Sequence, residues 1–265
     1  MPELKFIGLG LHDELGMSLR GLEEAKAAGV VFAELYTSPM PRLSIEALER
    51  LLGKPIRLLG RGDLEERLHE AVLKPVREAG SGALLVPGDP MVFTTHASLR
   101  LEAERAGIRT SIVNASSILS AICGATGLQG YKFGKAATIP IPDGASPPES
   151  PYECVRDNRA RGLHTLLLMD FRGEEGIAMT INEALGQLLA IESKRGEGAL
   201  TPDALVVGVA RVASPDQLVR GGEAKRIIGE DFGPPPHCLV VPGVLHFVER
   251  DYLRAFAGVR EEELG

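Results

Sequence analysis

The sequence predicts an α/β protein of two domains, and three observations lead there. The chain has 265 residues, more than the roughly 100–150 typical of one domain. Apolar residues make up 44% and charged residues 25%, a globular balance that leaves no room for a long disordered segment. Through the first half, apolar runs of strand length alternate with stretches of helical period, the pattern of a parallel sheet covered by helices.

Taken in order, the first-half strand signals fall at residues 4–11, 30–36, 56–60, 83–87 and 108–115. Between them, Leu19, Leu22, Ala25 and Ala28 lie on one helical face, and Val92, His96, Leu99 and Ala103 on another. The second half predicts a second sheet from runs at 135–141, 165–171, 205–212, 226–229 and 238–241. Thr180 and Glu183, three apart before an apolar stretch, read as a capping box that opens a helix. Residues 140–151 carry five prolines with Gly144 and read as an exposed loop or crossover able to cover a cleft. The boundary is expected where the fifth strand ends, giving domains 1–115 and 116–265. No internal repeat and no low-complexity tract appears.

Charge and composition exclude several classes. A formal charge of −7 argues against a broad basic footprint for nucleic acid. The absence of tryptophan, with 5% aromatics, weakens a base-stacking role. No run of about 18 apolar residues is present and the start, Met1-Pro2-Glu3-Leu4-Lys5, runs straight into a strand signal, so a cytoplasmic protein with no membrane partner is expected. Cys123, Cys154 and Cys238 are odd in number and far apart, which offers neither a disulfide framework nor a zinc pattern. The six histidines include no HExxH and no close pair, so no metal site is expected.

Ligands of open parallel sheets gather beyond the carboxyl ends of the strands, which singles out three segments. In Gly8-Leu9-Gly10-Leu11-His12-Asp13, two glycines let the backbone approach a ligand closely or simply make a tight turn. In Pro87-Gly88-Asp89-Pro90, the prolines stiffen a turn, so Asp89 either presents a carboxylate to a ribose hydroxyl or amino group or caps a helix beginning near Met91. Ser116 and Ser117 precede an apolar helical run, and one of them is a natural N-cap with exposed amides behind it. In the second half, His237 follows the stiff lead-in Phe232-Gly233-Pro234-Pro235-Pro236 and begins the last strand, where a functional contact and a structural hydrogen bond are equally open. His164 and His246, at the edges of elements, read as structural.

Phe6-Ile7-Gly8-Leu9-Gly10-Leu11, Ala33-Glu34-Leu35-Tyr36-Thr37-Ser38, Pro87-Gly88-Asp89-Pro90, Thr94-Thr95-His96 and Gly233-Pro234-Pro235-Pro236-His237 together resemble the diphthine synthase family, in order and spacing along nearly the whole chain. The strand followed by Gly-Asp-Pro is shared with the wider tetrapyrrole methylase-like class. Glu34 to Ser38, residues 127–134 and the Pro-Pro-His run point to this member. Leu11-His12-Asp13 stands where the wider class often carries Gly-Pro-Gly-Asp.

The resemblance implies two α/β domains, the first with a mostly parallel sheet and the second with a mixed one, and a cofactor in the cleft between them. It implies transfer of methyl groups from S-adenosyl-L-methionine, with S-adenosyl-L-homocysteine as product. The acceptor it implies is the amino group of a 3-carboxy-3-aminopropyl-modified histidine on translation elongation factor 2, in diphthamide biosynthesis, and the assembly a homodimer. Carried over by position, its cofactor contacts are Leu11, Asp89, Val92, Ser117 and Ile118, then Met169, Ala210 and His237. All lie at flagged strand ends except Met169 and Ala210, which the periodicity leaves inside strands.

No catalytic residue is assigned, because methyl transfer from a sulfonium needs chiefly in-line positioning and an unprotonated nucleophile. Competing readings are a same-fold methyltransferase on a tetrapyrrole precursor or ribosomal RNA, a nicotinamide-dependent oxidoreductase with Glu34 as ribose-binding acid, and a non-catalytic adaptor.

Overall fold

The computed structural model describes residues 1–144, 147–173 and 175–264. The chain divides into two compact units, Met1–Ile118 with Gly173–Glu175, and Leu119–Arg172 with Gly176–Gly265.

The first unit runs β1 (Glu3–Gly8), α1 (Leu19–Ala27), β2 (Val30–Glu34), α2 (Ile45–Leu52), β3 (Arg57–Leu59), α3 (Arg61–Glu65), α4 (Lys74–Ala79), β4 (Ser81–Val86), α5 (His96–Arg105) and β5 (Arg109–Val113). Its five strands pair in the order β3-β2-β4-β1-β5, all parallel. The near-continuous apolar runs follow from burial on both faces. Leu4 and Phe6 of β1 join Leu84 and Val86 of β4 in one core, while Ile7 joins Ala83 and Leu85 in the other. Helix α1 lays its small residues on the sheet: Gly21, Ala25 and Ala28 are buried. Leu19, expected on that face, is exposed, whereas Leu22 packs partly buried against the same core. Likewise Val92 precedes α5 instead of belonging to it, whereas His96, Leu99 and Ala103 are its buried face.

The second unit runs α6 (Ile118–Thr126), β6 (Ala137–Ile139), α7 (Ser150–Arg159), β7 (Thr165–Met169), β8 (Phe171–Arg172), β9 (Ile177–Ala178), α8 (Ile181–Arg195), β10 (Leu205–Ala210), β11 (Leu218–Glu223), α9 (Ala224–Ile227), β12 (His237–Val241) and α10 (Phe247–Ala257). The sheet order is β11-β10-β12-β7-β6, antiparallel except for the β6–β7 pair, so it is mixed, as the resemblance implies. Leu167, Val206, Leu239 and Val241 face the main core with Tyr152 and Val155 of α7 and Ala184, Leu185 and Leu188 of α8. The capping box at Thr180 and Glu183 is formed and opens α8.

Three second-half expectations are corrected. Residues 226–229 are not a strand. Ala224 and Ile227, three apart and both buried, make the short helix α9, and Arg226 is bonded to Gly221 and Glu263. Two strands were not expected: β9, two residues long and paired with β8, and β11, whose Leu-Val-Arg-Gly-Gly-Glu has weak strand propensity and takes its pairing from β10. In the proline-rich stretch, Pro151 is buried in the first turn of α7, where a proline costs no hydrogen bond. Ala145 and Ser146 of that stretch lie outside the described residues.

Candidate functional site

In the first unit the parallel register sets the exits of β4, β1 and β5 side by side, with Gly8 opposite Val86 and Ile7 opposite Val113. The two glycine-bearing exits then bind each other. Gly10 N–H donates to Gly88 O (3.2 Å) and Gly88 N–H donates to Gly10 O (2.7 Å). A Cβ on Gly8 would lie 2.5 Å from Gly88 O. Gly8 and Gly10 are thus required by close backbone, Gly88 O and Gly16 O respectively, and Gly88 by its φ of 68°, and the turn so formed is the platform that carries Leu11, Asp89 and Val92.

Asp89 is buried and fully engaged. Its Oδ1 accepts from Met91 N–H (3.0 Å), and its Oδ2 accepts from the Asn114 side-chain amide (2.9 Å) and from Ala115 N–H (3.3 Å). It therefore ties the exit of β4 to the exit of β5. It does not cap a helix at Met91, since α5 starts at His96. Beyond β5, Ser117 is buried at the head of α6, and Ile118, its first residue, is half-buried like Leu11 and Val92. All five expected contacts of this unit thus stand at the carboxyl ends of three adjacent strands.

Beneath this turn lies a pair that periodicity does not reveal. Glu34 and His96 are both wholly buried, with His96 Nε2 3.6 Å from Glu34 Oε1. His96 Nδ1 and Thr94 Oγ1 both donate to Pro90 O (3.1 and 2.8 Å), and Thr37 donates to both Glu34 oxygens. Burial raises the Glu34 carboxyl above the usual carboxylate range and lowers the His96 imidazole, so both neutral forms are favoured. Glu34 is therefore withdrawn from the surface, which removes the ribose-binding acid that the nicotinamide reading requires. The quoted segments Glu34 to Ser38 and Thr94 to His96 contain the pair, but no spacing rule joins residues 62 apart on different elements.

The second unit gathers its three expected contacts at one end of its sheet. Met169 and Ala210 are the terminal residues of β7 and β10, not interior ones, and His237 begins β12 directly opposite Ala210. His237 Nδ1 accepts from Ile181 N–H at the head of α8 (3.4 Å), which assigns the proton to Nε2. That Nε2 is buried and makes no well-formed hydrogen bond, although the backbone of Phe232, Gly233 and Pro234 lies near the ring. Burial first, and the Arg211 cation second, hold the imidazole below the ordinary histidine range, so it is neutral near pH 7. A buried N–H without an acceptor costs about 1–3 kcal/mol. The donor suits a ligand that brings an acceptor oxygen or nitrogen to it, and this is the feature by which the residues present fit the implied cofactor.

His164 and His246 are structural, as expected. His164 Nδ1 accepts from Gly243 N–H (2.9 Å) and its Nε2 donates to Glu249 (3.1 Å), while His246 caps α10. Among the described residues no group of three His, Cys, Asp or Glu could hold a metal ion, and no helix is long and apolar enough to cross a membrane. Cys123, Cys154 and Cys238 are unpaired, and burial pushes the Cys238 thiol up to about 12. A hollow lined by Val30, Lys54, Pro55, Arg57 and Glu78 lies at the amino ends of β2 and β3, away from the strand exits, and contains none of the expected contacts.

Residues 3–227 match the family model of the tetrapyrrole (corrin/porphyrin) methylases. The chain is 46% identical over 264 residues to a diphthine synthase of Methanosarcina mazei, covering 98% of this chain and 97% of that protein. It is 44% identical over 257 residues to one from Methanocella arvoryzae, covering 97% and 99% respectively. A crystal structure of a diphthine synthase superposes with a TM-score of 0.88 at 38% identity, covering 98% of each chain.

Proposed function

We infer the function from one premise: the chain belongs to the diphthine synthase family, within the tetrapyrrole methylases, and is an S-adenosylmethionine-dependent methyltransferase of diphthamide biosynthesis. The observation that carries the reading is 46% identity to a diphthine synthase over 98% of the chain. Its acceptor is the amino group of a 3-carboxy-3-aminopropyl-modified histidine on translation elongation factor 2. The enzyme acts as a homodimer in the cytoplasm.

The cofactor, when bound, supplies an electrophilic methyl group on a sulfonium sulfur. Leu11, Asp89, Val92, Ser117 and Ile118 of the first unit, with Met169, Ala210 and His237 of the second, would hold it. Asp89 acts by fixing the turn, because its oxygens already serve Met91, Asn114 and Ala115. His237 acts as a neutral donor through Nε2. Neither offers a free base: the carboxylate is engaged by three donors and the imidazole lone pair is taken by Ile181 N–H. The acceptor ammonium therefore gives its proton to solvent water, a loss that desolvation favours because it disfavours the charged form.

The test is to incubate the purified protein with S-adenosylmethionine and an elongation factor 2 already carrying the aminocarboxypropyl group, then weigh the target peptide. Mass gains in whole methylene steps are expected. No gain, with S-adenosylhomocysteine still bound, would transfer the substrate to a tetrapyrrole precursor or ribosomal RNA. Light scattering on the same sample checks the dimer.

A further inference from the structure

Among the described residues, non-glycine backbone with positive φ occurs at Phe93 (56°), Arg211 (50°) and Ala213 (66°). Such conformations persist only where the surroundings over-determine them, and they concentrate at functional sites. Phe93 follows Val92 and Arg211 follows Ala210, so two of the three adjoin proposed cofactor contacts, and Ala213 lies in the same loop as Arg211.

Arg211 shows what holds its conformation. Its side chain is 13% exposed. Nη1 donates to Phe232 O (2.7 Å) and Pro234 O (2.5 Å), and Nε and Nη2 donate to Asp216 O (3.2 and 3.1 Å), with Asp216 Oδ2 2.9 Å from Nε. Its own N–H donates to Pro236 O (2.8 Å). One residue thus grips the 232–236 segment at both ends, immediately before His237. Phe232 anchors the segment from the other side. Its buried ring lies against Gly208, where a Cβ would fall 2.4 Å from the ring, and 6.0 Å from the His237 imidazole.

We propose that Arg211 is a positioning residue for the methyl transfer: it clamps the 232–236 segment so that His237 presents Nε2–H to the cofactor. The proposal rests on the reading of His237 as a cofactor contact. A planar guanidinium suits the task, since its fork meets several carbonyls at once in a way an ammonium cannot. The charged groups on the elements around His237 are Arg211 and Asp216 in the loop after β10, Asp231 before the clamped turn, and Glu183 at the head of α8. Asp231 accepts from Gly233 N–H (2.8 Å) and Glu183 from Thr180 N–H (2.8 Å), whereas the Arg211 cation acts on the imidazole.

The test is a double-mutant cycle on the full chain, with S-adenosylhomocysteine binding read by calorimetry and the His237 imidazole titration read by NMR. Arg211→Met and His237→Ala are each expected to weaken binding about tenfold, and the double variant to be no weaker than His237→Ala alone. In Arg211→Met the His237 titration should move upward, because a like charge has been removed. Additive losses, or an unmoved titration, would overturn the proposal. If Arg211→Met does not fold, Arg211→Lys keeps the charge without the fork and should weaken binding with the titration nearly unchanged; full affinity in that variant is the contrary result. If His237→Ala leaves affinity intact, the cofactor reading of His237 fails and the proposal falls with it.

Discussion

The two sheet ends that carry the proposed contacts solve their polar bookkeeping in opposite ways. At the first, every donor around Asp89 has its acceptor and the glycine-bearing exits are bonded to one another. At the second, His237 is held on one nitrogen and left with a buried, unpartnered N–H on the other. The turn around Asp89 is complete without a ligand, the unpartnered atom near it being His96 Nε2 in the interior beneath, so damage to the turn should lower stability and affinity together. The second is completed by a ligand, so damage there should separate them.

Four substitutions and conditions, from the largest effect to the smallest, test that contrast. Gly8→Ala forces a methyl against Gly88 O and Ala115 Cβ, at 2.5 and 2.7 Å, in a place where only backbone could yield. A loss of about 3 kcal/mol in denaturant unfolding is expected; an unchanged midpoint would show that the two exits are not locked together. Asp89→Ala strands the Asn114 amide and two backbone N–H groups. It should cost about 1–3 kcal/mol in stability and a similar amount in S-adenosylhomocysteine affinity, and calorimetry that finds affinity intact would refute its role.

His237→Ala is the counter-case. Its unliganded stability should fall by less than its cofactor affinity, because loss of the unsatisfied Nε2 donor offsets part of the cost of leaving Ile181 N–H without its acceptor. Equal losses in both would erase the distinction between the two ends. The smallest effect is one of pH. The folded-state pKa of His237 lies below the ordinary 6.5, so the unfolded chain binds more protons between that depressed value and 6.5. Stability contributed by the neutral ring is present above 6.5 and lost as pH falls. Unfolding of the parent measured against His237→Ala at successive pH values should therefore show the parent losing ground below 6.5, and a constant gap would contradict it.

How much was legible beforehand differs between the same two regions. The strands of the first sheet show as apolar runs because both faces are buried, and each observed strand lies within a few residues of its expected place. Strand β11 did not show, since Arg220, Gly221 and Gly222 carry no strand preference and sit where β10 pairs with them. The helix-like Ala224 and Ile227 spacing was hidden behind an Ile-Ile pair that reads equally well as a strand.

The contrast extends to the sites. Pro87-Gly88-Asp89-Pro90 could be picked out as a rigid turn, but its partners Asn114 and Ala115 lie 25 and 26 residues further on, and no local rule joins them. What the sequence by itself determined was local: the period of burial, the glycines that admit unusual backbone, the capping box at Thr180 and the motifs that carry the family resemblance. Only the tertiary structure decided that Glu34 faces His96 in the interior, that Ala210 meets His237, and that Arg211 grips the segment ahead of it. Propensity acts over a few neighbouring residues, whereas the fate of a polar group depends on which strands the sheet order sets side by side and on how far burial removes water from between them.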